Sequence, residues 1–283
     1  MINQYKRRHI FRCSQKAHKR FEGNVSVYHV LKEKECYPQG CLYFLWHCVL
    51  LEKGNRCIHR YQYVGKNCKG CTYFVEEKVH FQPELLLTEN EYKDFLEELE
   101  DFESWLDSVR FKRQTFGGQI SCVKPWFEQT LHYKANHIKL RGYLLVFKKG
   151  FIGVESFDDT FYVRVSEKMM QVFQFVSKMK VEIEGEIGED RGRIIIHKPR
   201  NVEVLVKGSG KSLSREQVLV ALKTSTHLKE QPEQCLACLW GGLVDVIDRN
   251  NSKERRYRNL YCLKGITDPD GCFIQVSELL EMK

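Results

Sequence analysis

The chain has 283 residues, with 45 Lys and Arg against 37 Asp and Glu for a net charge of +8, 42% hydrophobic residues, 12% aromatic residues and twelve cysteines. This composition excludes a disordered chain and favours a polyanionic partner, and the length admits two or three compact units. No apolar run approaches a membrane span. The polar opening MINQYKRRHIF lacks a signal-peptide apolar core, so a reducing, cytoplasmic location is expected, where cysteines serve as metal ligands sooner than as disulfides.

Residues 1–20 contain seven Lys or Arg and no acid, interleaved with Tyr5 and Phe11. Cations neutralise phosphates and rings stack on bases, so Arg7, Arg8, Arg12, Lys19 and Arg20 are candidate nucleic-acid contacts. A solvated arm has the same composition.

Six cysteines follow within 36 residues. Cys36-x4-Cys41 and Cys68-x2-Cys71 are two short loops, each with glycine directly before its second cysteine, a geometry that turns backbone N–H groups towards thiolates. The pairing resembles a zinc ribbon, in which two knuckles clamp one tetrahedral ion. Cys48 and Cys57 widen the choice: Cys41, Cys57, Cys68 and Cys71 could equally hold a [4Fe–4S] cluster. CLYFLWHCVLL at 41–51 reads as a buried strand or short helix. These segments form a first predicted module, 1–83, a basic arm joined to a metal-binding unit.

Residues 84–110 carry ten acids against Lys93 and Arg110. Thr88 with Glu91 makes a capping box, and Phe95, Leu99, Phe102 and Leu106 recur at helical spacing, so one long acidic amphipathic helix is predicted. Its outer face is solvated or docks a partner. Residues 111–137, broken by Gly117-Gly118 and Lys124-Pro125, read as an irregular connector. The second module is therefore 84–137.

The segment 138–207 has a definite order of elements. Strands are predicted at 141–149, 151–156 and 160–166, then a helix over Glu167–Ser177. A strand follows in which Val181, Ile183 and Ile187 alternate with Glu182, Glu184 and Glu186. A turn at Glu189–Gly192 leads into Arg193–His197 and Val202–Val206. Three strands, a helix and a hairpin resemble the oligonucleotide/oligosaccharide-binding (OB) fold, a five-stranded barrel. The resemblance implies single-stranded nucleic acid as ligand. Alternation puts Val163 and Val165 inside, with Tyr162 and Arg164 outside as a stacking ring beside a phosphate partner. Arg141, Tyr143, Lys148, Lys149, Arg193 and Lys198 extend that surface.

In the last module, 208–283, VLVKGSGKSLS lacks the first glycine of a phosphate-binding loop, because Leu205 stands in its place, and nucleotide hydrolysis is excluded there. Ser214 and Gln217 cap a helix. Cys235-x2-Cys238, Cys262 and Cys272 form a second candidate four-thiolate site, for Zn2+ or a [4Fe–4S] cluster. Arg255, Arg256, Tyr257 and Arg258 belong to a basic hairpin between the cysteine pairs. No catalytic constellation stands out anywhere in the chain.

The expected protein is thus mainly β with α: an OB-like five-stranded barrel in the middle, small metal-bound modules on either side and one long acidic helix. The expected function is single-stranded DNA or RNA binding, with one or two structural thiolate metal sites. The alternatives are an iron–sulfur protein in electron transfer or redox sensing, and a scaffold subunit whose contacts are the acidic helix and the 41–51 segment.

Overall fold

A computed structural model describes residues 1–15, 18, 23–133, 135–229, 231–250 and 254–272. The chain divides into two compact units, Arg8–Thr88 on the one hand and Met1–Arg7 with Glu89–Lys283 on the other. Among the described residues, no helix is long and apolar enough to cross a membrane.

The smaller unit is built from short pieces. β1 (Phe11–Arg12) pairs antiparallel with β2 (Asn24–Val25). A single π-helical stretch, Tyr28–Glu33, follows. β3 (Cys41–Cys48) leads into the four-residue α1 (Val49–Glu52) and pairs antiparallel with β4 (Phe74–Phe81), while β5 (Glu84–Leu85) returns to β1. The apolar 41–51 segment is therefore a strand and a short helix, but it is not buried as expected. Leu42 and Phe44 are 50% and 55% exposed, because only one partner strand covers a two-stranded ladder.

The larger unit begins with α2 (Glu89–Val109), which buries the predicted stripe Phe95, Leu99, Phe102 and Leu106, extended by Val109. Its apolar face receives the first residues of the chain: Tyr5 packs edge-on against Phe102, and Trp105 stacks on Phe157. Next come β6 (Arg113–His132), β7 (Ala135–Ile152), β8 (Glu155–Phe157), β9 (Phe161–Val165), α3 (Glu167–Phe173), β10 (Lys180–Asp190) and β11 (Arg193–Val206). Five of these strands close a ring. β6 is antiparallel to both β7 and β10, β10 is antiparallel to β11, β11 is parallel to β9, and β9 is antiparallel to β7. Phe116, Phe147, Phe161, Val163, Ile183 and Ile196 are all buried within it, and the rings of Phe147 and Phe161 stack at 4.8 Å.

The connector predicted at 111–137 is thus corrected: it contains the first strand of the ring. Its glycines are close-approach sites rather than loop markers. A Cβ on Gly150 would lie 2.1 Å from the Gly117 carbonyl oxygen, and Gly118, at φ +153°, faces the Lys149 carbonyl. Likewise 141–149 and 151–156 are not two equal strands; β7 runs unbroken to Ile152, and β8 is a three-residue remnant. The alternation read in 180–187 holds, with Val181, Ile183 and Ile187 buried.

Beyond the ring come α4 (Arg215–Lys223), β12 (Thr226–Leu228), α5 (Glu233–Ala237), β13 (Gly241–Asp248) and β14 (Arg255–Cys262). Ser214 and Gln217 form the predicted capping box of α4. β13 lies parallel to β6 and antiparallel to β14, and β12 closes the edge, so the sheet extends to nine strands. We expect Phe161→Ala to lower unfolding stability by about 3–5 kcal/mol, whereas Val172→Ala, at a site 65% exposed, stays within about 0.5 kcal/mol in the same urea titration.

Candidate nucleic-acid interface

The ladder between β6 and β7 slips near the ring's edge. Gly118 pairs with Gly150 and Ile120 with Phe147, so β7 spends one residue more than β6 over that interval. Such a bulge breaks the in–out alternation of side chains, and Lys148 and Lys149 are both exposed although adjacent. Opposite them the chain enters β10. Lys178, at φ +66°, donates its backbone N–H to Ile120 (2.7 Å), and Ile120 donates to Met179 (2.8 Å). Met179 is buried there, while Lys178 and Lys180 on either side of it are exposed.

The four lysines line a cleft of about 660 Å³ together with Gln119, Ser121, Ser156 and Asp158. Asp158 is the only carboxylate in the lining, and it accepts from the Ser156 hydroxyl (3.3 Å). None of the four lysines forms an ion pair with a described residue. Four ammonium groups against one carboxylate around one concavity focus a field that attracts anions. Lys178 and Lys180 were missed in the sequence because they flank one apolar residue at the end of a helix, where charge reads as solvation.

The stacking surface expected on β9 lies elsewhere than solvent. Tyr162 is only partly exposed, since it packs with Trp126 against a cluster of Leu144, Ile195, Leu228, Leu243 and Leu260. The β12–β14 segment therefore covers this face of the ring. Beside the cluster, Arg258 donates to Asp245 and to Asp190, each at 2.6 Å. Arg164 donates to Asp190 (3.1 Å) and lies over the Trp126 ring, and Trp126 donates to Asp245 (2.7 Å). The Arg193 guanidinium sits over Tyr162. Burial opposes the charge on Asp190, yet Arg258 and Arg164 outweigh it and hold the carboxyl below the usual carboxylate range. Burial also opposes the charge on Arg258, and Asp245 and Asp190 reverse that effect. Arg164, Arg193, Arg258 and Tyr162 are consequently structural partners of one another. Tyr143 is 3% exposed and cannot stack on a base, because the register puts it on a covered face.

The remaining predicted contacts scatter. Arg7 is spent on Glu98 (2.6 Å) and on the Phe95 ring, so the acidic helix neutralises this part of the basic arm. Arg8 and Arg12 are exposed in the smaller unit, and Lys19 and Arg20 lie outside the described residues. Arg141 is exposed, 4.0 Å from Glu128. Arg255 and Arg256 are exposed on β14, with Arg256 paired to Glu254 (2.7 Å), and Tyr257 is 36% exposed.

The twelve cysteines form no disulfide. Burial first, and then Cys238, Cys262 and Cys272, together push the Cys235 thiol up to about 11, so the C-terminal four share one neighbourhood. Trp240 donates its backbone N–H to the Cys238 sulfur (3.4 Å). Beneath them Lys124, entirely buried, donates to the carbonyls of Cys235 (3.2 Å) and Leu236. In the smaller unit, Cys36 is hydrogen-bonded to Cys41 and feels Cys13. The Cys68 sulfur accepts from the Gly65 N–H (3.5 Å), and Cys71 donates its N–H to the Cys68 carbonyl (3.0 Å). Cys57 is half-buried. Among the described residues there is no ready-made group of three or more His, Cys, Asp or Glu side chains around one point.

No family model, curated protein or solved structure matches this chain. Its chemistry must be argued from the residues themselves.

Arg258→Met would leave half-buried Asp190 to Arg164 and Asp245 to Trp126, so it is expected to cost about 1.5–3 kcal/mol of unfolding stability. The Asp190 contribution has a definite sign: its folded pKa is depressed, so the stabilisation is complete above the unfolded value of about 3.9 and is lost as pH falls through the folded value. Acid titration of stability in Asp190→Asn should show a shallower loss below about pH 4 than the parent chain.

Proposed function

We propose that this protein binds single-stranded nucleic acid, and that its five-strand ring is an OB-like barrel. The strand order supports the reading. The first and fourth ring strands, β6 and β10, pair with each other, the third and fifth, β9 and β11, run parallel, and a helix stands between the third and the fourth. Such barrels bind oligonucleotides on the face of their second and third strands and through adjoining loops. Here the C-terminal strands cover part of that face, so the grip is assigned to a different edge.

The observation that carries the proposal is the cleft lined by Lys148, Lys149, Lys178 and Lys180. Its lysines act as point charges on backbone phosphates, while the Ser121 and Ser156 hydroxyls and the Gln119 amide supply hydrogen bonds that do not depend on base sequence. At the far end of β7 the hairpin tip offers Tyr133, 92% exposed, as a stacking ring. The compartment proposed is the cytoplasm, where twelve thiols stay reduced.

Cys235, Cys238, Cys262 and Cys272 are proposed as a structural thiolate site for Zn2+ or a [4Fe–4S] cluster. The support is their shared neighbourhood, the N–H to Cys238, and the buried Lys124 as counter-charge for a site of net negative charge. When bound, the metal would cross-link α5, the end of β14 and the segment after it.

Fluorescence anisotropy with a labelled oligonucleotide at several salt concentrations tests the grip. Neutralising single-strand phosphates gives a log–log slope of about 0.7 per contact, so Lys148→Ala with Lys149→Ala should weaken binding and reduce the slope by about 1.4. If the pair leaves binding unchanged and Arg255→Ala with Arg256→Ala abolishes it, the cleft is wrong; no binding even at low salt ends the reading. Elemental analysis with an absorption spectrum on anaerobically purified protein tests the metal: one equivalent should be lost in Cys262→Ser, colourless for zinc and brown for a cluster.

A further inference from the structure

The smaller unit carries a cationic surface of its own, in the long loop between β3 and β4. The pair Cys48–Phe74 ends the ladder, and Val49 donates its N–H to the Tyr73 carbonyl (3.1 Å), so everything between emerges from one end of the two strands. Beyond α1, residues 53–73 contain Lys53, Arg56, Arg60, Lys66 and Lys69 and no Asp or Glu. All five are exposed, and none forms an ion pair with a described residue. The carboxylates flanking the loop are engaged by rings of the ladder. Glu52 and Glu77 meet His47 (2.8 and 3.3 Å), and Glu76 accepts from the Trp46 indole (2.6 Å).

Backbone bonds at the cysteines shape this loop. Arg60, at φ +59°, donates its N–H to the Cys57 carbonyl (2.9 Å), which closes a turn with Ile58 and His59 at its tip. Cys71 donates to Cys68 and Phe74 to Cys71, each at 3.0 Å, and these turns return the chain to β4. Within 53–73 only Cys57, Val64, Gly65, Cys68 and Cys71 are partly covered, and every other residue is exposed. The exposed set includes Tyr61, Tyr73 and above all Tyr63, at 83%. The Lys69 ammonium lies over the Trp46 ring, and His59 stands beside Tyr61 with centroids 6.0 Å apart. A tyrosine face left in water adds nothing to the core, whereas an unpaired base can cover it while cations beside it meet the phosphates of the same strand. A lipid surface calls for a continuous apolar face; here rings and cations alternate along an irregular loop.

We propose that the 53–73 loop is a second binding surface for single-stranded nucleic acid, in which Arg56 and Arg60 hold phosphates and Tyr61 and Tyr63 stack on unpaired bases. The ligand class rests on the single-strand binding proposed for the chain. The surface itself shares no residue with the lysine cleft and belongs to the other compact unit. The two surfaces also differ in kind. No aromatic ring lines the cleft, so it answers to the sugar–phosphate backbone alone. The loop adds rings, which need unpaired bases, and guanidinium forks, which match phosphate oxygens in pairs. It therefore favours a single strand over the duplex of the same sequence.

The test uses the full chain with a labelled single strand, the matching duplex, and polyphosphate, which carries charge without bases. Tyr63→Ala should weaken single-strand binding about 5- to 150-fold, leave polyphosphate binding and the salt slope unchanged, and be rescued by Tyr63→Phe. Arg56→Ala with Arg60→Ala should lower the log–log salt slope by about 1.4. These side chains are exposed, so every variant should keep the parent's unfolding midpoint. Photo-crosslinking with peptide mapping should place the strand on 53–73, in the Lys148→Ala, Lys149→Ala variant as in the parent. Parent-like affinity in the tyrosine and arginine variants, with binding lost in the lysine variant, would overturn the loop and leave the cleft standing. The reverse result would uphold the loop and remove the cleft. Equal loss of polyphosphate binding in Tyr63→Ala would overturn the stacking role, and binding to anionic lipid vesicles but to no oligonucleotide would overturn both surfaces.

Discussion

Two arginines and two aspartates, drawn from four strands and half-buried together, tie the strands of the larger unit to one another. Arg164 comes from β9, Asp190 from the end of β10, Asp245 from β13 and Arg258 from β14, with Trp126 of β6 completing the set. Burying an ion pair costs desolvation, and only dense hydrogen bonding with matched charge offsets it. Here Arg164 and Arg258 face two aspartates, each carboxylate receives more than one donor, and the nearby Arg193 guanidinium lies over the Tyr162 ring. The apolar cluster beside it supplies the burial that excludes water. Neither part works alone, since the leucines need the charges to set register and the charges need the leucines to keep the local dielectric low.

This arrangement decides which cationic groups stay exposed. In a bare ring, Tyr162, Arg164 and Arg193 would face solvent and form the obvious cationic, aromatic platform. Once β13 and β14 lie against β6, the platform becomes an internal junction in which Arg164 pairs with Asp190 and Arg193 lies over the Tyr162 ring. The acidic helix does the same to the start of the chain, where Glu98 takes Arg7. The excess charge of the sequence is therefore not spread evenly over the surface. In the larger unit part of it gathers on Lys148, Lys149, Lys178 and Lys180, which have no ion pair of their own among the described residues.

How much of this was legible in the sequence follows from what each signal measures. Amphipathic α2 was readable because Phe95, Leu99, Phe102 and Leu106 repeat with the helical period and every one of them is buried. The β10–β11 hairpin was readable from period two and a turn rich in Asp and Gly. β6 was not. Its Gly117-Gly118 pair serves a close backbone crossing, and Lys124 is a cation in the middle of a core strand, so both imitate loop composition. Tyr162 and Arg164 were correctly placed outside the ring's core, but period two reports only which side of a strand a residue takes. It is silent on whether a distant segment later covers that side. The cysteine spacing carried the C-terminal four into one neighbourhood, whereas Cys36 and Cys41 have Cys13 beside them, a partner that spacing did not choose.

The bulge explains why the cleft is where it is. A regular β7 would alternate through Phe147, Lys148 and Lys149, and one of the two lysines would be driven into the ring against Phe116 and Phe161. Burying an unpaired ammonium there would cost several kcal/mol. One extra residue on β7 lets both lysines turn outward while Phe147 keeps its stack on Phe161. The distortion has its own backbone demands, met by glycine at 118 and 150, where no side chain fits. Two glycines that add nothing to the core and two lysines that repel each other are thus parts of one device. Bulges of this kind re-aim side chains, and here the result is a pair of adjacent cations aimed into the same concavity as Lys178 and Lys180.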